Sequence, residues 1–294
     1  MSKLVEVMVT GASPEVKARI EAFKKIRQQE EEARKRLSIV RHKIAVISGK
    51  GGVGKSFVST SIALTLAKKG YKVGLLDSDL HGPSIPKLLG LQGQKMSAGP
   101  PGIFPVDGPL GLKVVSIDFM LPSENAPVIW RGPLKTGAIR QLLSMVMWGP
   151  LDFLVIDLPP GTGDEPLSIV QLIKDLDGTV IVTSPSDLAR VVVKKAVAFA
   201  KQLKVPIIGI IENMSYLKCP RCGEVIRVFG HGAGKKICEE MDVEFLGEIP
   251  IDPRISECTA RGKHFLECYP ESDVARAVDI IVEKIVSKVK EMKE

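Results

Sequence analysis

The run Gly49-Lys50-Gly51-Gly52-Val53-Gly54-Lys55-Ser56 constrains this chain more than any other feature, because it joins an apolar stretch, KIAVIS from residue 43, to a helical pattern over 55–69. It satisfies G-x-x-x-x-G-K-S/T in the setting that motif demands. Glycines let the backbone curl so that its N–H groups and the following helix N-terminus face an anion; Lys55 then reaches outer phosphate oxygens and the Ser56 hydroxyl reaches Mg²⁺. A glycine turn that merely joins strand to helix would match the bare pattern as well, so the flanking elements carry the argument.

Apolar runs rich in Val, Ile and Leu recur at residues 43, 72, 113, 153, 179, 206 and 244. Amphipathic patterns lie between or after them, near 55–69, 134–147, 165–176, 188–203, 232–241 and 272–291. Near-continuous apolar strands alternating with helices predict a doubly wound, mostly parallel α/β sheet covered on both faces. At 294 residues and 45% hydrophobic, the chain can bury a sizeable core, which excludes a disordered chain or a small disulfide scaffold. The expected organisation is a charged helical extension over 1–42, read as a solvated helix or mobile arm, and a single domain over 43–294. Residues 91–112, rich in Gly and Pro, read as a surface loop or a small hairpin.

Two strands end in acids, where such sheets gather their nucleotide sites. One runs into Asp77-Ser78-Asp79 and another into Asp157-Leu158-Pro159-Pro160-Gly161. Asp157 suits the Mg²⁺ shell of a phosphoryl-transfer site, and the Gly161 N–H suits a γ-phosphate. Either acid alone is an ordinary helix cap or turn former; together with the glycine loop they make a site. Lys50 adds a second cation beside the loop, as a surface charge or as a group that reaches the phosphates of a facing subunit.

Cys219-Pro220-Arg221-Cys222 has metal-ligand spacing, but two thiolates fill only half of a zinc site or a 4Fe–4S cluster. A twofold axis near the turn would bring two pairs together. Spacing alone leaves iron–sulfur and zinc both open. Cys238 and Cys258 are the other candidate ligands and are expected to be buried structural residues. His231 could ligate a metal or serve a turn, and His81 sits within the acidic loop. Five cysteines, three without a close-spaced partner, fit a reducing compartment.

The GKGGVGKS form of the loop resembles the deviant Walker A of the MinD/ParA and nitrogenase-reductase class of dimerising P-loop ATPases. Together with DSDLHGPS (77–84), DLPPGTGD (157–164), IENMS (211–215), CPRC (219–222), FGHGAG (229–234) and GEIPIDP (247–253), it is similar to the Mrp/ApbC-type iron–sulfur carrier ATPases, over about residues 43–262. The resemblance implies a slow, dimer-dependent ATPase using ATP and Mg²⁺. Lys50 would cross to the partner's nucleotide, Lys55 would bind phosphate, and Asp79 would orient or activate the attacking water. Ser56, Asp77 and Asp157 would support magnesium. Phe57 joins the loop residues in the nucleotide set, with Asn213 reading the adenine edge and Pro250, Ile251 and Asp252 lining the other side of the base. Cys219 and Cys222 would hold a 4Fe–4S cluster, with zinc as the alternative, across a homodimer that serves apoprotein recipients. Scaffold-type relatives carry four further cysteines near the N-terminus; residues 1–42 hold none, so no second cluster is expected there.

The net charge of +7 fits nucleic acid or anionic ligands no better than it fits solvated lysine-rich helices. No apolar run reaches the roughly 18 residues a membrane span needs, and no signal-peptide core is present, so a cytoplasmic protein without nucleic-acid or membrane partners is expected. The final helix carries Val274, Val278, Ile281, Ile285 and Val289 on one side; packing on the sheet is expected rather than membrane binding. The competing function is a partitioning or positioning ATPase with structural zinc on the cysteine pair.

Overall fold

The computed structural model describes residues 13–80, 82–121, 132–230 and 232–293. His81 and His231 lie outside the described residues. Helix α1 (Pro14–Leu37) starts where Ser13 accepts the Val16 N–H and Pro14 supplies a preset φ, and its last turn carries Arg34, Lys35 and Arg36. Its outer turns are solvated as the charge pattern requires, yet Ala33 and Leu37 are buried in the core. The arm expected over 1–42 is therefore anchored at its end, and strand β1 (Val40–Ile47) begins before residue 43.

From β1 the chain turns into α2 (Lys55–Lys68), β2 (Val73–Asp77), α3 (Ile85–Leu88) and a hairpin of β3 (Ser97–Gly99) with β4 (Gly102–Phe104). Next come β5 (Val106–Asp107), β6 (Lys113–Ser116), α4 (Gly132–Met145), β7 (Leu151–Asp157), α5 (Asp164–Ile173), β8 (Gly178–Thr183) and α6 (Asp187–Gln202). The last part holds β9 (Ile207–Lys218), β10 (Val225–Ile226), α7 (Ala233–Met241), β11 (Phe245–Ile251), α8 (Arg254–Ala260), α9 (Phe265–Cys268) and α10 (Asp273–Glu291).

The main sheet runs β10-β9-β8-β1-β7-β2-β6-β5, with β11 also on β9. Pairings are parallel except β5 with β6 and β10 with β9. Alternate residues of β1 face opposite layers. Ile44 and Val46 share a cluster with α2 and α10, while Ala45 and Ile47 share one with α1, α4, α5, α6 and α7. Helix α2 is buried almost all round, with every residue from Lys55 to Leu66 except Ser56 buried. On α10, Val274, Val278, Ile281, Val282, Ile285 and Val289 are buried. At about 1.5–3 kcal/mol per apolar side chain removed from water, that stripe fixes the helix to the sheet. No helix among the described residues is long and apolar enough to cross a membrane.

Candidate functional site

Register places the functional strand ends side by side. Val46 of β1 pairs with Asp157 of β7, and Asp157 pairs with Asp77 of β2, so the phosphate loop leaves the sheet directly beside both acids. Gly52 and Gly54 adopt φ of +77°, the left-handed region that glycine alone enters cheaply. At Gly54 a Cβ would also come within 2.3 Å of the Asn213 amide nitrogen. At Gly51 and Gly52 a Cβ would meet nothing within 4 Å, so this stretch of backbone is open to a ligand. A cavity of about 450 Å³ lies over it, lined by Ser48, Gly51–Phe57, Asp79, Ser84, Lys87, Leu88, Pro160 and Thr259. Open backbone, a helix N-terminus and a lysine fit the phosphate chain of a nucleotide.

Asp157 is the hub. Fully buried, its carboxylate takes the Lys55 ammonium at 2.8 Å and accepts hydrogen bonds from the Ser56 and Ser59 hydroxyls, each at 2.6 Å. Its carbonyl accepts from Ser78 through both the hydroxyl and the backbone N–H. Ser56 and Asp157 thus offer oxygen donors that fit a hard divalent cation such as Mg²⁺. The carboxyl of Asp77 accepts the Asp79 N–H and the Ser116 hydroxyl. Burial, helped by the neighbouring Asp157 charge, pushes its pKa up to about 8. That shift favours the protonated, hydrogen-bonding form of Asp77 where no cation lies beside it.

Other expected residues are placed differently from the sequence reading. The Gly161 N–H, expected to be free for a γ-phosphate, donates to the Ser48 carbonyl at 2.8 Å. Asn213 is buried, and its amide donates to the Val53 carbonyl at 2.9 Å, bracing the loop from behind. Asn213 faces Ile249 in register, so Pro250, Ile251 and Asp252 are its near neighbours. Their open side, however, lines a second groove of about 590 Å³ shared with Leu217, Lys218, Cys219, Pro220 and Gly223. Phe57 stacks on the buried His264 with ring centroids 5.4 Å apart. The Lys50 side chain is exposed and makes no hydrogen bond or ion pair among the described residues.

The cysteine pair sits at the tip of a hairpin. Strand β9 runs past the end of its pairing with β8 at Glu212, and Lys218 and Leu217 then pair with Val225 and Ile226 of β10. Between them the Gly223 N–H donates to the Cys219 carbonyl and the Cys219 N–H to the Glu224 carbonyl, with Gly223 at φ +76°. Cys219 is half-buried and Cys222 exposed. The N–H groups of Cys222 and then Arg221, with the Cys222 side chain, hold the Cys219 thiol below its usual pKa, which favours the thiolate that binds metal. Cys238 and Cys258 are buried, as expected; burial pushes their thiols up to about 12 and about 11. Among the described residues no group of three or more His, Cys, Asp or Glu side chains converges on a metal position. One chain thus offers two thiols.

Sequence reasoning missed Ser59, Ser84, Lys87, Thr259 and His264. Ser59 had a readable signal, since it follows Lys55 by four residues and so shares its face of α2. Ser84 closes the DSDLHGPS run, which assigned it no role, whereas Lys87 of α3 and Thr259 and His264 beyond β11 lie outside every motif. Helix α8 borders both cavities: Arg254 at its start lines the cysteine groove and Thr259 near its end lines the phosphate-loop cavity.

Known proteins match this arrangement along most of the chain. The iron-sulfur cluster carrier protein of Saccharolobus solfataricus is 51% identical over 247 residues, covering 84% of this chain and 83% of its own. The cytosolic Fe-S cluster assembly factor NUBP2 homolog of Dictyostelium discoideum is 47% identical over 248 residues, covering 83% of this chain and 94% of its own. Among solved structures, the nucleotide-binding protein of Archaeoglobus fulgidus in complex with ADP superposes with a TM-score of 0.72 at 45% identity, over 80% of this chain and 91% of that one. The Pyrococcus furiosus cell division ATPase MinD shares the fold, with a TM-score of 0.61 at 24% identity over 84% of this chain and 99% of that one. The profile described as ParA, NUBPL iron-transfer P-loop NTPase, matches residues 39–286, and the chain belongs to that family.

Proposed function

We propose that this protein is an ATP-hydrolysing iron–sulfur cluster carrier that works as a homodimer and passes a 4Fe–4S cluster to apoproteins. The observation that carries the reading is an exposed two-thiol turn on the same sheet as a complete phosphate loop, with no third ligand beside it among the described residues. Half a ligand set on each of two copies makes one whole set. Val225, Ile226, Val228 and Phe229 are large, exposed apolar residues directly after the turn, a surface suited to burial against a second copy.

In this reading Lys55, the loop N–H groups and Phe57 bind ATP, while Ser56 and Asp157 hold Mg²⁺ with Asp77 behind them. Asp79 orients the attacking water, and Lys50 reaches the partner's phosphates, so turnover is slow and waits for dimer closure. Asn213 and Pro250–Asp252 bracket the base once Asn213 turns from Val53, and the Gly161 N–H serves the γ-phosphate once it leaves Ser48. The protein works in the cytoplasm.

Anaerobic reconstitution with iron and sulfide tests this directly. Broad visible absorbance, two chains per cluster by sizing and iron analysis, and loss of both in a Cys219→Ala, Cys222→Ala variant are the expected results. Stoichiometric zinc with no iron–sulfur absorbance would refute the carrier reading in favour of a switch ATPase with a structural metal.

A further inference from the structure

One wall of the phosphate-loop cavity has no role in the site described above. Helix α3 follows the Asp77–Asp79 loop, and Ser84, Lys87 and Leu88 line the cavity alongside Gly51–Phe57. The helix is short but firmly held. Ile85, Pro86, Leu89 and Leu91 are buried, and the Leu91 N–H donates to the Pro86 carbonyl at 2.8 Å. Gly90, at φ +66°, lies so close to the connection between α8 and α9 that a Cβ there would meet the Gly262 carbonyl oxygen at 1.8 Å. Lys87 therefore stands on a fixed platform. Its side chain is exposed, and its ammonium makes no hydrogen bond or ion pair among the described residues.

The charge balance of the cavity gives that lysine a task. Nucleotide phosphates bring several negative charges into a cleft where each must be compensated. Lys55, the one loop cation buried at the site, already faces the fully buried Asp157 at 2.8 Å, and Asp79 adds a further carboxyl to the lining. A divalent cation offsets part of the deficit. Among the described residues, the remaining unpaired cation on the cavity wall is Lys87. Leu88, Thr259 and Phe57 line the same cavity.

We propose that Lys87 binds the phosphate chain of the nucleotide held by its own subunit and sets affinity for it, in contrast to Lys50, which acts across the dimer. The proposal rests on the nucleotide-site reading above. It makes Lys87 a binding residue and assigns it no step in hydrolysis.

Calorimetric titration of the full chain with ADP, ATP and adenosine tests it, using Lys87→Gln, Lys87→Arg and Lys55→Ala. Lys87→Gln should weaken ADP and ATP by about tenfold, the loss expected for one charge-assisted contact. Its salt dependence should be shallower, adenosine should bind as to the parent, and Lys87→Arg should restore most of the affinity. ADP affinity within about twofold of the parent in Lys87→Gln, with Lys55→Ala clearly weakened, would overturn the proposal and leave the nucleotide site standing. Equal weakening of adenosine would also overturn it, by showing a change of pocket shape. Parent-like ADP binding in Lys55→Ala would sink the nucleotide-site reading, and this proposal with it.

Discussion

Replacing Asp157 with asparagine separates the restraint its carboxylate places on Lys55 from the metal binding proposed for it. Asparagine has the same shape. Its amide oxygen can still accept one bond and its amide group can donate to a serine oxygen, so the loss is chiefly the charge. What remains is the Lys55 ammonium, 6% exposed, without the counter-charge it had at 2.8 Å. Breaking a buried ion pair from one side costs about 3–5 kcal/mol, and the retained hydrogen bonding argues for the lower end. Set against the unfolding entropy of a chain of 294 residues, ~3 kcal/mol lowers the melting temperature by about 5 °C. Nucleotide binding should move the other way. In the parent, Lys55 must leave Asp157 to reach phosphate, whereas in Asp157→Asn nothing competes for it. ADP in the presence of a chelator should bind the variant more tightly, by about tenfold if one charged contact is released, while Mg²⁺-dependent ATP turnover falls. Scanning calorimetry with and without ADP, followed by titration, reads all three effects. A variant as stable as the parent, or one with weaker metal-free ADP binding, would refute the claim that Asp157 restrains Lys55.

Acid should weaken the fold through His264. Burial holds its imidazole neutral down to about pH 3, whereas an unfolded chain takes up the proton near the ordinary value of 6.5. The stability this group contributes is thus lost as pH falls, by about 1.4 kcal/mol per unit between those limits. Urea midpoints from pH 7 to 4 should fall less steeply for His264→Asn, which keeps an acceptor for the Leu266 N–H; equal slopes would assign the acid sensitivity elsewhere. Gly54→Ala should cost at least about 1–2 kcal/mol from its left-handed backbone, beyond the displacement of Asn213, whereas Gly51→Ala leaves the urea midpoint nearly unchanged. Leu37→Ala should lower stability by about 2–5 kcal/mol; an unmoved midpoint would make α1 an ornament on the core.

Much of this architecture was legible because its signals are local. The glycine loop, the strands ending at Asp77 and Asp157, and the helices near 55, 165, 188 and 273 lie within two or three residues of where periodicity puts them. The apolar stripe of α10 needed only its spacing to be placed against the sheet. What could not be read depends on contacts distant in sequence. No pattern says that Asn213 turns its amide to Val53, that Gly161 gives its N–H to Ser48, or that burial and a neighbouring charge raise the Asp77 pKa. The short helices α3, α8 and α9 were missed because four to seven residues hold too few turns to establish a period. The charged sequence of α1 concealed the two residues, Ala33 and Leu37, that tie it down.

Helix α8 is seven residues long, so its ends are about 10 Å apart, and a rod of that length tilts as a unit instead of bending. Because Thr259 borders the phosphate-loop cavity and Arg254 borders the cysteine groove, the two compartments share a lever. The two compartments are thus walled in part by one short helix, and any change in its position alters the lining of both.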